Sequence, residues 1–153
     1  MEKECVWSCM GNIDGVEFRH AQYFIKDDGG RSNAGYKGDT GDCVVRAIAI
    51  ATEIDYKTVY DELFELSGKT PRNGVKRKVY EKYLLSKGFK WVSCMQIGSG
   101  CRVHLSGREL PAGRLVCRLS KHLTAMVDGV IHDTFDPSRS GQRCVYGYFI
   151  KKT

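Results

Sequence analysis

Apolar positions fall into two regimes along the chain, a helical period from Cys43 to Gly88 and short β-like runs after Phe89. In YKTVYDELFELSG, the residues Tyr56, Val59, Tyr60, Leu63 and Leu66 recur at helical spacing, with Asp55 in front as an N-cap and Gly68 behind as a stop. The stretch NGVKRKVYEKYLLSKG repeats the arrangement, with Val75, Val79, Tyr83 and Leu84 on one face and Gly88 as terminator. The preceding CVVRAIAIAT is apolar on nearly every side of Arg46, which predicts a helix enclosed by the rest of the domain. Asp42 stands where an N-cap accepts a backbone N–H, and Cys43 then lies in the first helical turn.

Beyond Phe89, the runs WVSCMQI, CRVHL, RLVCRL, HLTAMV, VIHDTF and CVYGYFI are separated by turns containing Gly, Pro and Asp, and read as strands. Residues 1–25 read as an edge hairpin, CVWSCM and VEFRHAQYFI around the turn Gly11–Gly15. Residues 26–42 carry five glycines and little that is apolar, so they form a long loop of the kind that often bears function. The whole reads as one α+β domain over 1–153: an edge hairpin (1–25), a candidate active-site loop (26–42), a helical part (43–88) whose first helix is buried, and an antiparallel sheet (89–151).

The 153 residues suffice for a core without metal or disulfide staples. A net charge of +6 favours acidic partners without identifying a nucleic-acid binder. The opening MEKECVWSC is followed by no long apolar run, which predicts neither a secretory signal nor a membrane span and points to the cytoplasm. In that reducing compartment the seven cysteines are expected as free thiols.

A helix N-terminus stabilises a thiolate, and Cys43 is the one cysteine so placed. Such a nucleophile needs a histidine to take its proton and an acceptor to orient that histidine. The segment SKHLTAMVDGVIHDTFDPSR offers His122, Asp133 and Asp136. With a two-residue turn at Asp128-Gly129, position 127 pairs with 130 and Asp133 becomes the diagonal neighbour of His122. With a three-residue turn and a bulged glycine, Asp136 shares the His122 face instead.

These residues carry a resemblance. Gly41-Asp42-Cys43 at the start of a buried helix, then a strand-opening His122 and an Asp136-Pro137 after the next strand, resemble the papain-like cysteine hydrolase superfamily in kind and order. The segment from His122 to Pro137 is similar to bacteriocin-leader peptidases of export transporters, and the Asp42-Cys43 pair to the entry motif of bacterial cell-wall amidases and endopeptidases. The stretches GDCVVRAIAIAT and DGVIHDTFD are similar to those of small tailed-bacteriophage proteins, over most of residues 26–150, which would place the chain in a host cytoplasm. The resemblance implies a papain-like fold and a cysteine peptidase or amidase acting through an acyl-enzyme. Cys43 would then be the nucleophile, His122 the base and acid, and Asp136 the orienting acid, with Asp133 as its substitute. Where the superfamily carries a Gln or Asn shortly before the cysteine, this chain has Lys37. Asn33, Lys37, Thr40 and Asp42 are therefore the candidate oxyanion and substrate-binding residues of the loop.

The expected partner is a peptide or protein substrate, with no cofactor, no metal and no membrane. Cys5 and Cys9 together with Cys94, Cys101 and His104 offer soft ligands of the kind zinc takes, but their spacings are irregular and form no paired C-x-x-C knuckles, which argues against a zinc site. Residues 69–90 carry eight basic side chains against the single Glu81, interleaved with aromatics. That is the solvated face of an amphipathic helix in preference to a nucleic-acid surface. The alternative function is a non-catalytic phage-encoded binding protein that uses this basic segment to grip a host protein or nucleic acid.

Overall fold

The computed structural model describes residues 4–7, 21–38 and 40–152. Its strands are β1 (Glu4–Trp7), β2 (Ala21–Lys26), β3 (Phe89–Ser93), β4 (Arg114–Leu119), β5 (His122–Val127), β6 (Val130–Asp133) and β7 (Gly147–Lys151), and its helices α1 (Cys43–Thr52), α2 (Tyr56–Ser67) and α3 (Arg77–Ser86). The strands form one sheet in the order β1-β2-β6-β5-β4-β7-β3, with the helices packed on it in a mixed α+β arrangement. Among the described residues, no helix is long and apolar enough to cross a membrane.

Local chemistry explains most boundaries. Asp55 caps α2 by accepting from the Thr58 N–H at 3.3 Å, and Gly68 ends it in the left-handed conformation. The third helix begins later than the pattern predicts, at Arg77, because Pro71–Asn73 forms a separate 3-10 turn before it. Its buried face is Tyr80, Tyr83 and Leu84, while Val75 and Val79 are only partly covered.

Within residues 89–151 every strand pair is antiparallel, as expected. The sheet extends beyond them, because β2 runs parallel to β6, pairing Tyr23 with Val130 and Lys26 with Asp133. A parallel pair needs a long crossover, and here the helical part together with β3, β4 and β5 lies between the two strands. The predicted strand CRVHL is absent as a strand. It contributes only an isolated antiparallel bridge, His104 to Cys144, flanked by backbone hydrogen bonds Leu105 N to Arg143 O and Val145 N to Val103 O, both 2.8 Å. The expected N-terminal hairpin is present as the antiparallel β1–β2 pair at the sheet edge, and its turn at 11–15 lies outside the described residues.

Hydrophobic side chains fill both faces of the central strands. On one side α1, α2 and α3 bury Val45, Ile48, Tyr56, Leu63 and Leu84 with Val116 and Ala125 of the sheet. On the other, Leu115, Cys117, Met126 and Ile131 pack with Leu105, Leu110 and Val145 from the irregular segments. Burial on both faces explains why RLVCRL and HLTAMV lack a strict alternation.

The loop of residues 27–38 is pinned to this frame. Asp27 N donates to Asp133 O at 2.8 Å, and the Asp27 carboxylate meets His132 Nδ1 at 3.0 Å. At Gly29 the backbone has φ +70°, and a Cβ there would lie 3.0 Å from the Arg46 carbonyl oxygen. Gly29→Ala is therefore expected to destabilise the fold by at least about 1 kcal/mol, the strain of a left-handed alanine, before any shift of α1 is counted. Urea unfolding of the variant measures it.

Candidate active site

The Asp128-Gly129 turn decides the register. Both residues have positive φ, 48° and 81°, and Val127 pairs directly with Val130, which is the two-residue form. Ala125 then pairs with His132, so Thr124 comes beside Asp133. His122, two residues earlier on β5, reaches diagonally to the same carboxylate.

The contacts follow from that register. His122 Nε2 lies 2.7 Å from Asp133 Oδ2, the oxygen that also accepts from Thr124 Oγ1 at 2.7 Å. Asp133 Oδ1 accepts from Thr134 N at 2.7 Å and faces Arg46 Nη2 at 3.8 Å. Asp136, preferred from the sequence, is not the partner of His122. Its Oδ1 accepts from Ser138 N at 2.9 Å and closes its own turn. The pairing register, not proximity to the Asp-Pro corner, selects the acid.

Cys43 opens α1 and lines the same cleft as His122. Burial pushes its thiol pKa up, but the hydrogen bond to His122, the Leu123 backbone N–H and the charges of His122 and Arg46 together hold it below its ordinary value of 9.0. For His122, burial favours the neutral ring, yet hydrogen bonds to Asp133 and Cys43 and the charges of both raise its pKa from 6.5 to about 9. Cys94 and Cys117 behave in the opposite way: burial raises the pKa of each. With Nε2 engaged by Asp133, Nδ1 is the ring nitrogen left for the thiol.

The loop residues occupy other positions. Asp42 is at the N-cap position, but its side chain does not cap the helix. It is buried at 1% exposure, where Arg46 and the Tyr56 hydroxyl donate to it and Arg31 Nε lies 2.9 Å away. Two donors and the adjacent Arg31 cation in a dry site outcompete one backbone N–H. Thr40 Oγ1 and the Lys37 carbonyl accept from Arg31 at 3.5 and 3.0 Å, and the Asn33 and Lys37 side chains are exposed. None of Asn33, Lys37, Thr40 and Asp42 lines the cleft around Cys43. The loop thus braces the helix start instead of walling the site.

That cleft holds about 330 Å³, with Val75, Tyr80, Arg77, Arg118 and Lys121 around Cys43 and His122. Arg77 stacks over Trp91 and Arg118 over Tyr146, at 5.4 and 5.5 Å, which fixes two guanidinium groups at its rim. The Phe135 ring lies 5.2 Å from that of His122.

Arg46 is a site residue that no sequence motif marks. Its signal is physical: a lone charge in an apolar helix, four residues after an aspartate, must find a buried partner. It finds two, Asp42 and Asp133, and so links the loop to the acid that holds His122. The expectation of free thiols also fails at one place, since Cys101 and Cys144 form a disulfide. The bridge His104–Cys144 brings those two segments together, a contact invisible to local spacing. Cys9, one of the five residues with zinc-ligand chemistry, lies outside the described residues.

Chemically, a thiol held below its usual pKa, an imidazole held above its own and a carboxylate fixing the ring can form a thiolate–imidazolium pair in an open cleft. No family model, curated protein or solved structure matches this chain.

Proposed function

We propose that this protein is a thiol-dependent hydrolase, papain-like in arrangement, that cleaves a peptide, isopeptide or other amide bond. One observation carries the reading: Cys43, at the start of α1, shares a cleft with His122, whose ring is held 2.7 Å from Asp133. His122 leads the groups that lower the Cys43 thiol pKa, whereas burial raises those of Cys94 and Cys117. Cys43 Sγ attacks the carbonyl carbon, and His122 gives its proton to the leaving nitrogen as the C–N bond breaks. Water, deprotonated by the now neutral His122, then opens the thioester and restores the thiol. Asp133 keeps the ring oriented throughout. Arg77, Arg118 and Lys121 at the cleft favour a substrate with acidic or carboxylate-bearing groups beside the scissile bond.

The sign of the pH dependence follows. Turnover rises as the Cys43 thiol ionises, below 9.0, and falls as the pH climbs through about 9, where His122 loses the proton the leaving group needs. The direct test uses p-nitrophenyl acetate and intact-mass measurement. Cys43 is expected to carry a transient acetyl group that turns over in wild type, while Asp133→Asn slows that turnover by about tenfold or more and Asp136→Asn leaves it unchanged. An acetyl group that stays on Cys43 without turning over, or equal turnover in His122→Ala, overturns the reading. The result would then favour a binding protein, whose surface would be the exposed basic residues Lys69, Arg72, Lys76, Lys78, Lys82 and Lys90.

A further inference from the structure

On the far side of the irregular segments, Cys101, His104 and Cys144 present two sulfurs and an imidazole nitrogen within 4.8 Å of one another. The chain does not depend on the disulfide to hold them there. The 103–105 and 143–145 segments are zipped by the His104–Cys144 bridge and its flanking backbone hydrogen bonds, and Leu105 and Val145 anchor them in the core at 0% exposure. The Cα atoms of the two cysteines are 5.6 Å apart. Two Zn–S bonds of about 2.3 Å at the tetrahedral angle need sulfurs about 3.8 Å apart, which side-chain rotation supplies once the S–S bond is gone.

A second observation concerns the imidazole. His104 Nδ1 lies 3.1 and 3.2 Å from the two oxygens of Glu109, which also accepts from the His104 backbone N–H at 3.3 Å. A carboxylate on one ring nitrogen fixes the tautomer and raises the basicity of the other, the outer arrangement that metal-ligating histidines use. Cys101 is exposed and His104 and Cys144 are half-buried, so an ion can reach the cluster from solvent.

We propose that Cys101, His104 and Cys144 form a zinc site that is closed by oxidation and opened by reduction. In the oxidised protein the sulfurs are bonded to each other and bind no metal. A thiol or phosphine reductant supplies two electrons, the S–S bond breaks, and the reductant leaves as its disulfide or oxide. Zn²⁺ then displaces the two thiol protons and takes two thiolates and one His104 nitrogen, with water completing the tetrahedron. Glu109 is the positioning residue. The cluster is separate from the Cys43 cleft and independent of its chemistry.

The test is anaerobic titration of the reduced, full-length protein with Co²⁺, followed by competition with Zn²⁺. One equivalent of Co²⁺ is expected to give thiolate-to-metal charge transfer and intense tetrahedral ligand-field bands, which Zn²⁺ abolishes. The oxidised protein gives neither. Cys144→Ser and Cys101→Ser lose the charge-transfer band, and His104→Gln and Glu109→Gln, which leave both sulfurs in place, weaken binding by about 10–100-fold. Far-UV circular dichroism identifies any variant that fails to fold, and the two glutamine variants then carry the test. A reduced wild type without charge transfer, or a band unchanged in Cys144→Ser or in His104→Gln, overturns the proposal.

Discussion

At pH 6, iodoacetamide is expected to alkylate Cys43 at least about tenfold faster than Cys94, and His122→Ala is expected to abolish the difference. A thiol at its ordinary value of 9.0 is only about 0.1% ionised at that pH. A thiol held as an ion pair is ionised to a far greater extent, and its lower intrinsic nucleophilicity takes back only part of the gain. The direction of the loss in the variant is set by what remains. Burial, the largest influence on Cys43, raises its pKa, and the hydrogen bond and charge of His122 are the main opposing influences. Without them the thiol pKa moves up towards or beyond 9.0, and reaction at pH 6 nearly stops. Peptide mass spectrometry across pH 5–10 follows each cysteine separately. A Cys43 that reacts no faster than Cys94, or that ignores His122, removes the basis for any thiol mechanism here.

The largest stability effect is expected at Asp42. Its carboxylate sits among Arg31, Arg46 and the Tyr56 hydroxyl with 1% exposure, so Asp42→Ala leaves two guanidinium groups short of their counter-charge in a largely dry setting. Removing one partner of such a cluster costs about 3–5 kcal/mol, against about 1 kcal/mol for deleting the exposed Asp55 cap. For a chain of this size that corresponds to a fall in Tm of about 6–20 °C. Urea unfolding of Asp42→Ala beside Asp55→Ala makes the comparison. Equal losses would mean that the buried charges relax into solvent and that Asp42 is not what secures the start of α1.

Some of this was legible in the chain. Helix α2 was, because Asp55, the apolar period and Gly68 are all local signals. The pairing of His122 with an acid was legible up to one residue of register, and Asp128-Gly129 is the dipeptide that resolves it through its two positive φ angles. What could not be read is non-local. The parallel β2–β6 pair joins residues separated by the whole helical part, and the Cys101–Cys144 disulfide joins segments whose meeting depends on the completed sheet. The loop 26–42 illustrates a different failure. Its polarity suggested substrate contact, whereas Asp27 pairs inward with His132 of β6, and Arg31 and Asp42 form an ion pair that reaches Arg46 of α1. Polar composition tells how many hydrogen bonds a segment must make, not with whom.

The two halves of the candidate site differ in mechanical compliance. His122 and Asp133 sit on adjacent strands joined by a tight turn, and their separation is fixed by a ladder of backbone hydrogen bonds and by Thr124. Cys43 belongs to a helix that meets the sheet only through side chains. Thermal breathing of the domain therefore leaves the imidazole–carboxylate distance nearly constant and loads the thiol–imidazole distance instead. Two arginines brace that seam: Arg114 of β4 donates to the Ile50 and Ala51 carbonyls at the far end of α1, and Arg46 reaches from α1 to Asp133 beside the site. Of the two, Arg46 is the one placed to restrain the sulfur against the ring.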